Sequence, residues 1–575
     1  MLDLYGQWKD EPSLAVHLKQ ELVEIDGNYH EIEDRFYQHL SFGTGGMRGL
    51  LGAGTNRMNI YTIRRIAEGL ALLILADGEE AMRRGVVIAY DTRHFSKEFA
   101  LETAKTIGKH GIQVFLFKES RPTPELSFAI RHLQAYAGVV ITASHNPATY
   151  NGIKIYGEDG GQLPPIPSDK MTQFIETLQN PFAIRTGDAA ELVASGQLIY
   201  VSEEIDAAYE RCLLTLREDI PMLTTHGQDV TIVFTPLHGA GLVPVTNGLR
   251  AFGFDNVTVV QEQAAPNSAF PTVLYPNPEE RSAFELAIAL GHETKADLLL
   301  ATDPDADRLG VAIRKQDGEY ELLNGNQLGA LLLHYILMQK QKKGELPTNG
   351  IALKTIVTSE FGRAVATKFG VQMLDTLTGF KFISEKIEEF ATTKAYTFLF
   401  GYEESYGFLI GDFARDKDAV QTALMTAEMV TYYHSKNHAI YEALQDLYEE
   451  LGHFRESLTS LTFEGKQGQQ KIEQLMRTFR THPPQSIAGI SVIAIEDYQL
   501  RTRRFSSGVV EPLTLPEADV LKLLLEDDSW ICIRPSGTEP KCKFYFGVRK
   551  DDAASAEATL QMIEQDIMES IQVLN

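Results

Sequence analysis

What this chain has little of narrows its reading first. Its 575 residues include only three cysteines, Cys212, Cys532 and Cys542. No two of them form the CxxC pair of a metal or redox site, so a disulfide scaffold is excluded and a reducing, cytoplasmic setting is expected. Cationic side chains are in deficit: 53 lysines and arginines stand against 78 aspartates and glutamates, a net charge of −25. Most of such a surface would repel a phosphate backbone, which argues against a nucleic-acid partner. An anionic substrate would need basic residues gathered locally against that field. No apolar run approaches the roughly 18 residues of a membrane span, and the opening MLDLYGQWKDEP has no signal-peptide pattern, so no membrane association is expected. The remaining composition, 44% hydrophobic and 23% charged, is that of a globular protein. The length is too great for one core and calls for roughly three to five domains.

A pattern recurs three times along the chain. The first copy runs GVVIAYDTRHFS, a helical stretch, GIQVFLFKES, another helical stretch, then AGVVITASHNP. The second runs DVTIVFTPLHGAG, FDNVTVVQEQ and ADLLLATDPDADR; the third runs GIALKTIVTSEFG, GVQMLDTLTGFK and YTFLFGYEESYG. Each reads strand, helix, strand, helix, strand, with the near-continuous apolar strands of a sheet buried on both faces. All α/β units look somewhat alike, but the matched order of three polar loops favours a triplication. Such sheets put their working residues in loops at the carboxyl ends of strands. After residue 450 the pattern changes to shorter strand-like runs, SVIAI and SWICI, and a closing helical stretch from Ala553. The expected fold is therefore α/β: three related α/β domains with mixed, largely parallel sheets (residues 1–208, 209–322 and 323–452), plus a smaller α+β C-terminal domain (453–575).

The loops carry the chemistry. ITASHNP, residues 141–147, delivers Ser144 and His145 at the exit of an apolar strand; on its own it reads equally well as a turn rich in turn formers. In DPDADR, Asp303, Asp305 and Asp307 alternate so that three carboxylates can converge on one hard cation. Without a cation they would repel one another and raise each other's pKa. An EF-hand calcium loop needs glycine at its sixth position and glutamate at its twelfth, where Arg308 and Arg314 stand, so magnesium is the better match. In GYEESYG, Glu403 and Ser405 offer the acceptors and hydroxyl that suit a sugar's hydroxyl groups. Downstream, RDKD supplies Arg415 and Lys417, either for a phosphate or for a solvated salt-bridge face. RPSGTEPK combines Arg534, Ser536, Gly537, Thr538 and Lys541 into a phosphate cradle without the spacing of a P-loop. GTGGMRG, residues 43–49, adds a second glycine-rich segment around Arg48.

Taken together, GTGGMRG, TASHNP, NGIKIY, DPDADR, TGFK, GYEES and RPSGTEPK, in that order from residue 43 to 541, resemble the α-D-phosphohexomutase family, and within it the phosphoglucomutase branch. The resemblance covers nearly the whole chain. It implies a heart-shaped molecule around a central cleft, acting on small sugar phosphates. It implies that Ser144 is the phosphoserine, and that Asp303, Asp305 and Asp307 hold Mg²⁺ together with a phosphoryl oxygen on Ser144. Glu403 and Ser405 would read the sugar, the Arg534 cradle would grip the distant phosphate, and Thr378, Gly379, Lys381 and Lys417 would line the cleft. Arg48, His145, Lys154 and Arg308 would flank the phosphoserine. The implied reaction interconverts glucose 1-phosphate and glucose 6-phosphate through glucose 1,6-bisphosphate. As general base, Lys154, read as part of an Asn-Gly hairpin, stands ahead of His145 and His238. Two departures matter. DPDAD replaces a glycine-containing metal loop, and the tyrosine of GYEES is that of the branch with phosphopentomutases and glucose-1,6-bisphosphate synthases. Phosphopentomutase, phosphomannomutase, a metal-dependent sugar-phosphate phosphatase and a non-catalytic sugar-phosphate binding protein are the alternatives.

Overall fold

The apolar runs of the first repeat become the central strands of a six-stranded sheet in the computed structural model, which describes residues 1–43, 45–462, 465–536 and 541–574. Its strands are β1 (Gly46–Leu50), β2 (Val86–Tyr90), β3 (Val114–Phe117), β4 (Ala137–Ile141), β5 (Tyr150–Tyr156) and β6 (Leu198–Val201). They lie in the order β1-β5-β4-β2-β3-β6. Strand β2 runs parallel to β3 and β4, whereas β5 runs antiparallel to β4 and β1. Every residue of β2 and β4 is buried, as near-continuous valine and isoleucine require. Helices Ser96–Gly108 and Thr123–His132 pack against these strands.

The second repeat gives β7 (Ile232–Thr235), β8 (Val257–Val259), β9 (Leu298–Thr302), β10 (Leu309–Arg314) and β11 (Tyr320–Leu323), in the order β11-β10-β9-β7-β8. The same logic recurs: in both of these copies the first strand sits between the second and the third, all parallel, and an antiparallel strand returns beside the third. In the third copy Gly350–Thr355 runs parallel to Gln372–Thr376, and Thr397–Glu403 is followed by an antiparallel Gly407–Leu409. The three chemical loops are thus the tips of three equivalent hairpins. One expectation is corrected here. Asn151-Gly152 is no hairpin turn but lies inside β5. Glycine is required there because a Cβ would sit 2.6 Å from the carbonyl oxygen of Thr142 and 2.7 Å from that of Met47.

The chain divides into two compact units, Met1–Gly325 with Phe380–Asn437, and Asn326–Gly379 with His438–Asn575. The first also holds three N-terminal helices, Leu2–Asp10, Val16–Glu24 and Tyr29–Phe36, which enclose an aromatic core of Trp8, Phe36, Tyr61 and Phe182. The second includes an antiparallel sheet whose strands His453–Thr462, Lys541–Lys550, Trp530–Pro535, Leu521–Leu525 and Ile490–Asp497 are neighbours in that order. Helix Ala553–Leu574 covers it, burying Ile563 and Ile567 with Phe544 and Phe546. This is the expected α+β design with its closing helix. Among the described residues no helix is long and apolar enough to cross a membrane, and the three cysteines form no disulfide.

Candidate active site

Each hairpin tip in the first unit holds one non-glycine residue in the left-handed region: Ser144 (φ 51°), Ala306 (φ 49°) and Tyr406 (φ 63°). Such residues are uncommon and persist where surrounding contacts hold them. At the first tip, the Ser144 amide donates to Thr142 Oγ1 at 2.8 Å, which turns the chain sharply. Ser144 is only 4% exposed. Its hydroxyl donates to Asp303 Oδ2 at 2.6 Å and lies 3.0 Å from His145 Nδ1.

The second tip brings three carboxylates together. One oxygen each from Asp303, Asp305 and Asp307 lies within 4.8 Å of the others, and all three residues are buried. Asp303 Oδ1 accepts the amides of Asp307 and Arg308, both at 3.1 Å, which closes the loop on itself. Asp305 Oδ2 accepts the Thr123 hydroxyl at 2.9 Å. Lys154 Nζ bridges Asp305 at 3.0 Å and Asp307 at 3.3 Å, while Lys417 Nζ reaches Asp307 at 3.1 Å. Burial, then the neighbouring aspartates, push the Asp303 carboxyl well above the carboxylate range. Burial acts the same way on Asp307, but Lys417, Lys154 and Arg308 outweigh it and hold that carboxyl below its ordinary value. For Lys154 and Lys417 burial opposes the charge and the aspartates prevail, so both ammonium groups are held protonated. His145 goes the other way: burial, with Arg308 and Arg48 nearby, drives it well below the imidazole range.

The donor set fits a divalent cation. Asp305 Oδ1 and Asp307 Oδ1 are buried with no hydrogen-bond partner, an arrangement that costs free energy unless a cation meets them. Magnesium accepts a few carboxylates and completes its octahedral shell with phosphate oxygens and water.

The third tip adjoins the second. Arg308 and Gly407 form a β-bridge, and the Leu309 amide donates to the Tyr406 carbonyl at 3.1 Å. Glu403 is buried at the end of its strand, paired with Gly407, and Ser405 lies within the tip. Gly407 must be glycine, since a Cβ there would meet Lys417 Cδ at 2.1 Å. Lys417 is thereby laid across the hairpin toward Asp307. Arg415, by contrast, spends its buried guanidinium on Asp412 and Glu388.

Of the residues expected from sequence, the first unit therefore gathers Ser144, His145, Lys154, Asp303, Asp305, Asp307, Arg308 and Lys417 around one polar centre. Arg48 joins through a 2.5 Å bond from Nη1 to Asn146 Oδ1, and Arg308 is ion-paired with Glu279. Lys381 stands on helix Phe380–Thr393 with Nζ 4.8 Å above the Phe382 ring. Thr378 and Gly379 belong to the second unit. So do Arg534, near the end of its strand, and Ser536 and Lys541, which close a hairpin through a 2.8 Å bond from the Ser536 amide to the Lys541 carbonyl. Gly537 and Thr538, like Thr44 of the glycine-rich segment, lie outside the described residues. His238 has both ring nitrogens engaged, by the Ala265 carbonyl at 3.1 Å and the Thr272 hydroxyl at 3.0 Å.

Sequence reading missed Asp91, Arg93, Thr123 and Glu279. Arg93 is 3% exposed. It donates from Nη1 to the carbonyls of Pro147 (2.8 Å) and Tyr150 (3.2 Å) and from Nη2 to those of Ser144 and Asn146. The available signal was the charged DTR placed directly after β2, at a carboxyl end where an unpaired arginine would be costly.

Comparison with known proteins gives the family. The chain matches the family models for phosphoglucomutase/phosphomannomutase alpha/beta/alpha domain I over residues 39–181, domain II over 213–318, domain III over 324–451, and the C-terminal domain over 492–565. It is 40% identical to a phosphoglucomutase of Staphylococcus saprophyticus, covering 89% of this chain and 91% of that one. It is 37% identical to a phosphoglucomutase of Staphylococcus haemolyticus, covering 99% and 98%. Its fold is similar to the open-form crystal structure of parafusin, a phosphoglucomutase from Paramecium, with a TM-score of 0.68 at 17% identity over 93% of this chain and 95% of that one.

Proposed function

This chain belongs to the phosphoglucomutase/phosphomannomutase family, and from that membership we propose that it interconverts α-D-glucose 1-phosphate and glucose 6-phosphate through a phosphoserine at Ser144. It is an enzyme of the isomerase class, an intramolecular phosphotransferase acting as a phosphoglucomutase. Glucose 1,6-bisphosphate is the intermediate in this reading, and the cytoplasm its setting, in keeping with three cysteines that form no disulfide. In this reading the chain carries four domains with the bounds proposed from sequence, residues 1–208, 209–322, 323–452 and 453–575.

The observation that carries the reading is the 2.6 Å contact between Ser144 Oγ and Asp303 Oδ2, which sets a lone hydroxyl against three buried carboxylates and two lysines. A serine hydroxyl is a poor nucleophile and a phosphomonoester a resistant electrophile, so transfer needs charge placed around the phosphoryl group beforehand. Mg²⁺ held by Asp303, Asp305 and Asp307, together with a phosphoryl oxygen on Ser144, would supply neutralisation of the developing charge. Lys154, Lys417 and Arg308 add fixed cations around the same centre. In the first half-reaction phosphoserine gives its phosphoryl group to the free sugar hydroxyl. The P–O bond to Ser144 breaks as the bond to the sugar oxygen forms, and the hydroxyl proton passes to the neutral imidazole of His145, beside the nucleophile; Lys154, first choice as base from sequence, is held protonated by Asp305 and Asp307 and acts as a fixed cation. The bisphosphate turns over, and its other phosphate returns to Ser144. Glu403 and Ser405 would read the sugar hydroxyls, Thr378, Gly379 and Lys381 would line its path, and Arg534, Ser536, Gly537, Thr538 and Lys541 would hold the phosphate that does not react.

A product assay on glucose 1-phosphate, with and without added bisphosphate, tests this. Glucose 6-phosphate should form and respond to the bisphosphate; release of inorganic phosphate alone would mark a phosphatase. Tyr402 within GYEES is the one feature that favours a second reading, phosphopentomutase.

A further inference from the structure

The loop after β2, residues 91–96, touches none of the groups assigned a role above except through Arg93, and its construction is elaborate for a connector. Arg93 points its guanidinium into the concave side of the Ser144 hairpin tip, where it meets four carbonyl oxygens, those of Ser144, Asn146, Pro147 and Tyr150. A backbone bent through a left-handed residue turns carbonyls inward that have no partner of their own, and buried carbonyls left unpaired are costly. The planar fork of arginine can satisfy several at fixed angles; a lysine ammonium cannot.

Arg93 is itself held on every side. Asp91 Oδ2 lies 3.3 Å from its Nε, and Asp91 Oδ1 accepts the Arg93 amide at 2.9 Å and the Ser96 hydroxyl at 2.6 Å. The Phe270 ring stacks against the guanidinium at 5.0 Å. Phe270 and Ser268 come from the long connection between β8 and β9, and Ser268 Oγ lies 2.9 Å from His94 Nδ1. The same connection contributes Glu279, which is ion-paired with Arg308 next to Asp307. One segment thus grips the Ser144 tip through Arg93 and the aspartate tip through Arg308.

We propose that Arg93 is a positioning residue of the transfer reaction: its guanidinium holds the Ser144 tip in its left-handed form and, through Phe270, in register with the aspartate tip. The proposal rests on Ser144 being the phosphoryl carrier. Every Arg93 nitrogen faces backbone or Asp91, so the residue takes no part in binding the sugar.

The test compares Arg93→Lys and Arg93→Met with the wild type, reading kcat and KM on glucose 1-phosphate together with amide hydrogen exchange of residues 142–150. A nucleophile displaced by about 1 Å loses on the order of a hundredfold in rate. Both variants should therefore fall about a hundredfold in kcat while KM stays within about threefold, and exchange in 142–150 should rise about tenfold. Retained kcat in Arg93→Lys would overturn the proposal. So would a loss confined to KM with unchanged exchange, which would put Arg93 on the substrate. If neither variant folds, Phe270→Leu keeps every hydrogen bond and removes the ring; it should lower kcat and raise exchange in 142–150, and no change in either contradicts the account. A wild type that turns over no glucose phosphate would refute the sugar reading, while the exchange measurement would still decide the role of Arg93.

Discussion

The loops after the first and the third strand of each repeat leave the same edge of equivalent strands, yet they are built for different ends. The third-strand tips carry Ser144, the Asp303–Asp307 carboxylates and Glu403, each with one residue forced into a left-handed backbone. The first-strand loops carry Arg93 and His238, and Lys354 stands near the end of the third copy's first strand; all three are buried, and all spend their donors on backbone or neighbouring polar groups. Arg93 holds the serine tip, and His238 holds the Ala265 carbonyl and Thr272. Lys354 donates to the Thr358 carbonyl at 3.1 Å and lies 3.0 Å from both Glu360 and Asp375. The chemical groups stand on one loop, and on the other buried polarity is satisfied. A buried cation with a full set of partners rigidifies its surroundings, and transfer chemistry needs its groups fixed before the substrate arrives.

That contrast can be broken by substitution on either side. The largest effect is expected for Ser144→Ala, which removes the carrier and should cut mutase activity by at least about 10⁴-fold while the thermal unfolding curve stays unchanged. Asp305→Asn comes next. It weakens the cation site and should cost about a thousandfold at low Mg²⁺, partly recovered at high Mg²⁺; full wild-type activity after exhaustive chelation would remove the metal from the account.

On the first-strand side, Lys354→Met leaves Glu360 and Asp375 beside a reduced set of cations and should destabilise the second unit by about 3 kcal/mol. Calorimetry checks this, and an unshifted transition would show the brace to be dispensable. Among substrates, glucose 1-phosphate should exceed ribose 1-phosphate at least about tenfold in kcat/KM, the ratio that about 1.4 kcal/mol produces. A pentose phosphate that proved the better substrate would transfer the assignment to phosphopentomutase. The smallest effect is expected for His238→Ala, about 1–2 kcal/mol of stability with kcat changed less than about threefold, since only the Ala265 and Thr272 partners lose their bond.

The two loop classes were unequally legible in the sequence. DPDADR and ITASHNP announce themselves because charge or a hydroxyl interrupts an apolar strand; the meeting of Ser144 with Asp303, on tips of two different sheets, was implied only by the family resemblance. The alternation of strands and helices was enough for the fold, since buried parallel strands must be apolar throughout. The charged DTR after β2 marked Arg93 but not its role, because its partners are carbonyl oxygens, which every residue owns and no residue name reveals. Asn151-Gly152 misled for a related reason. The glycine serves the close approach of the Thr142 and Met47 carbonyls across the sheet, and nothing in the dipeptide separates that from a turn.

The central claim is that one hydroxyl, Ser144 Oγ, carries the phosphoryl group in transit. Fully active protein equilibrated with glucose 1,6-bisphosphate, then analysed by intact mass and peptide fragmentation, measures it directly. The account predicts up to one phosphoryl group per chain, located on Ser144 and discharged when excess glucose 6-phosphate is added. Phosphate on any other residue, or an active enzyme that never acquires it, would contradict the account.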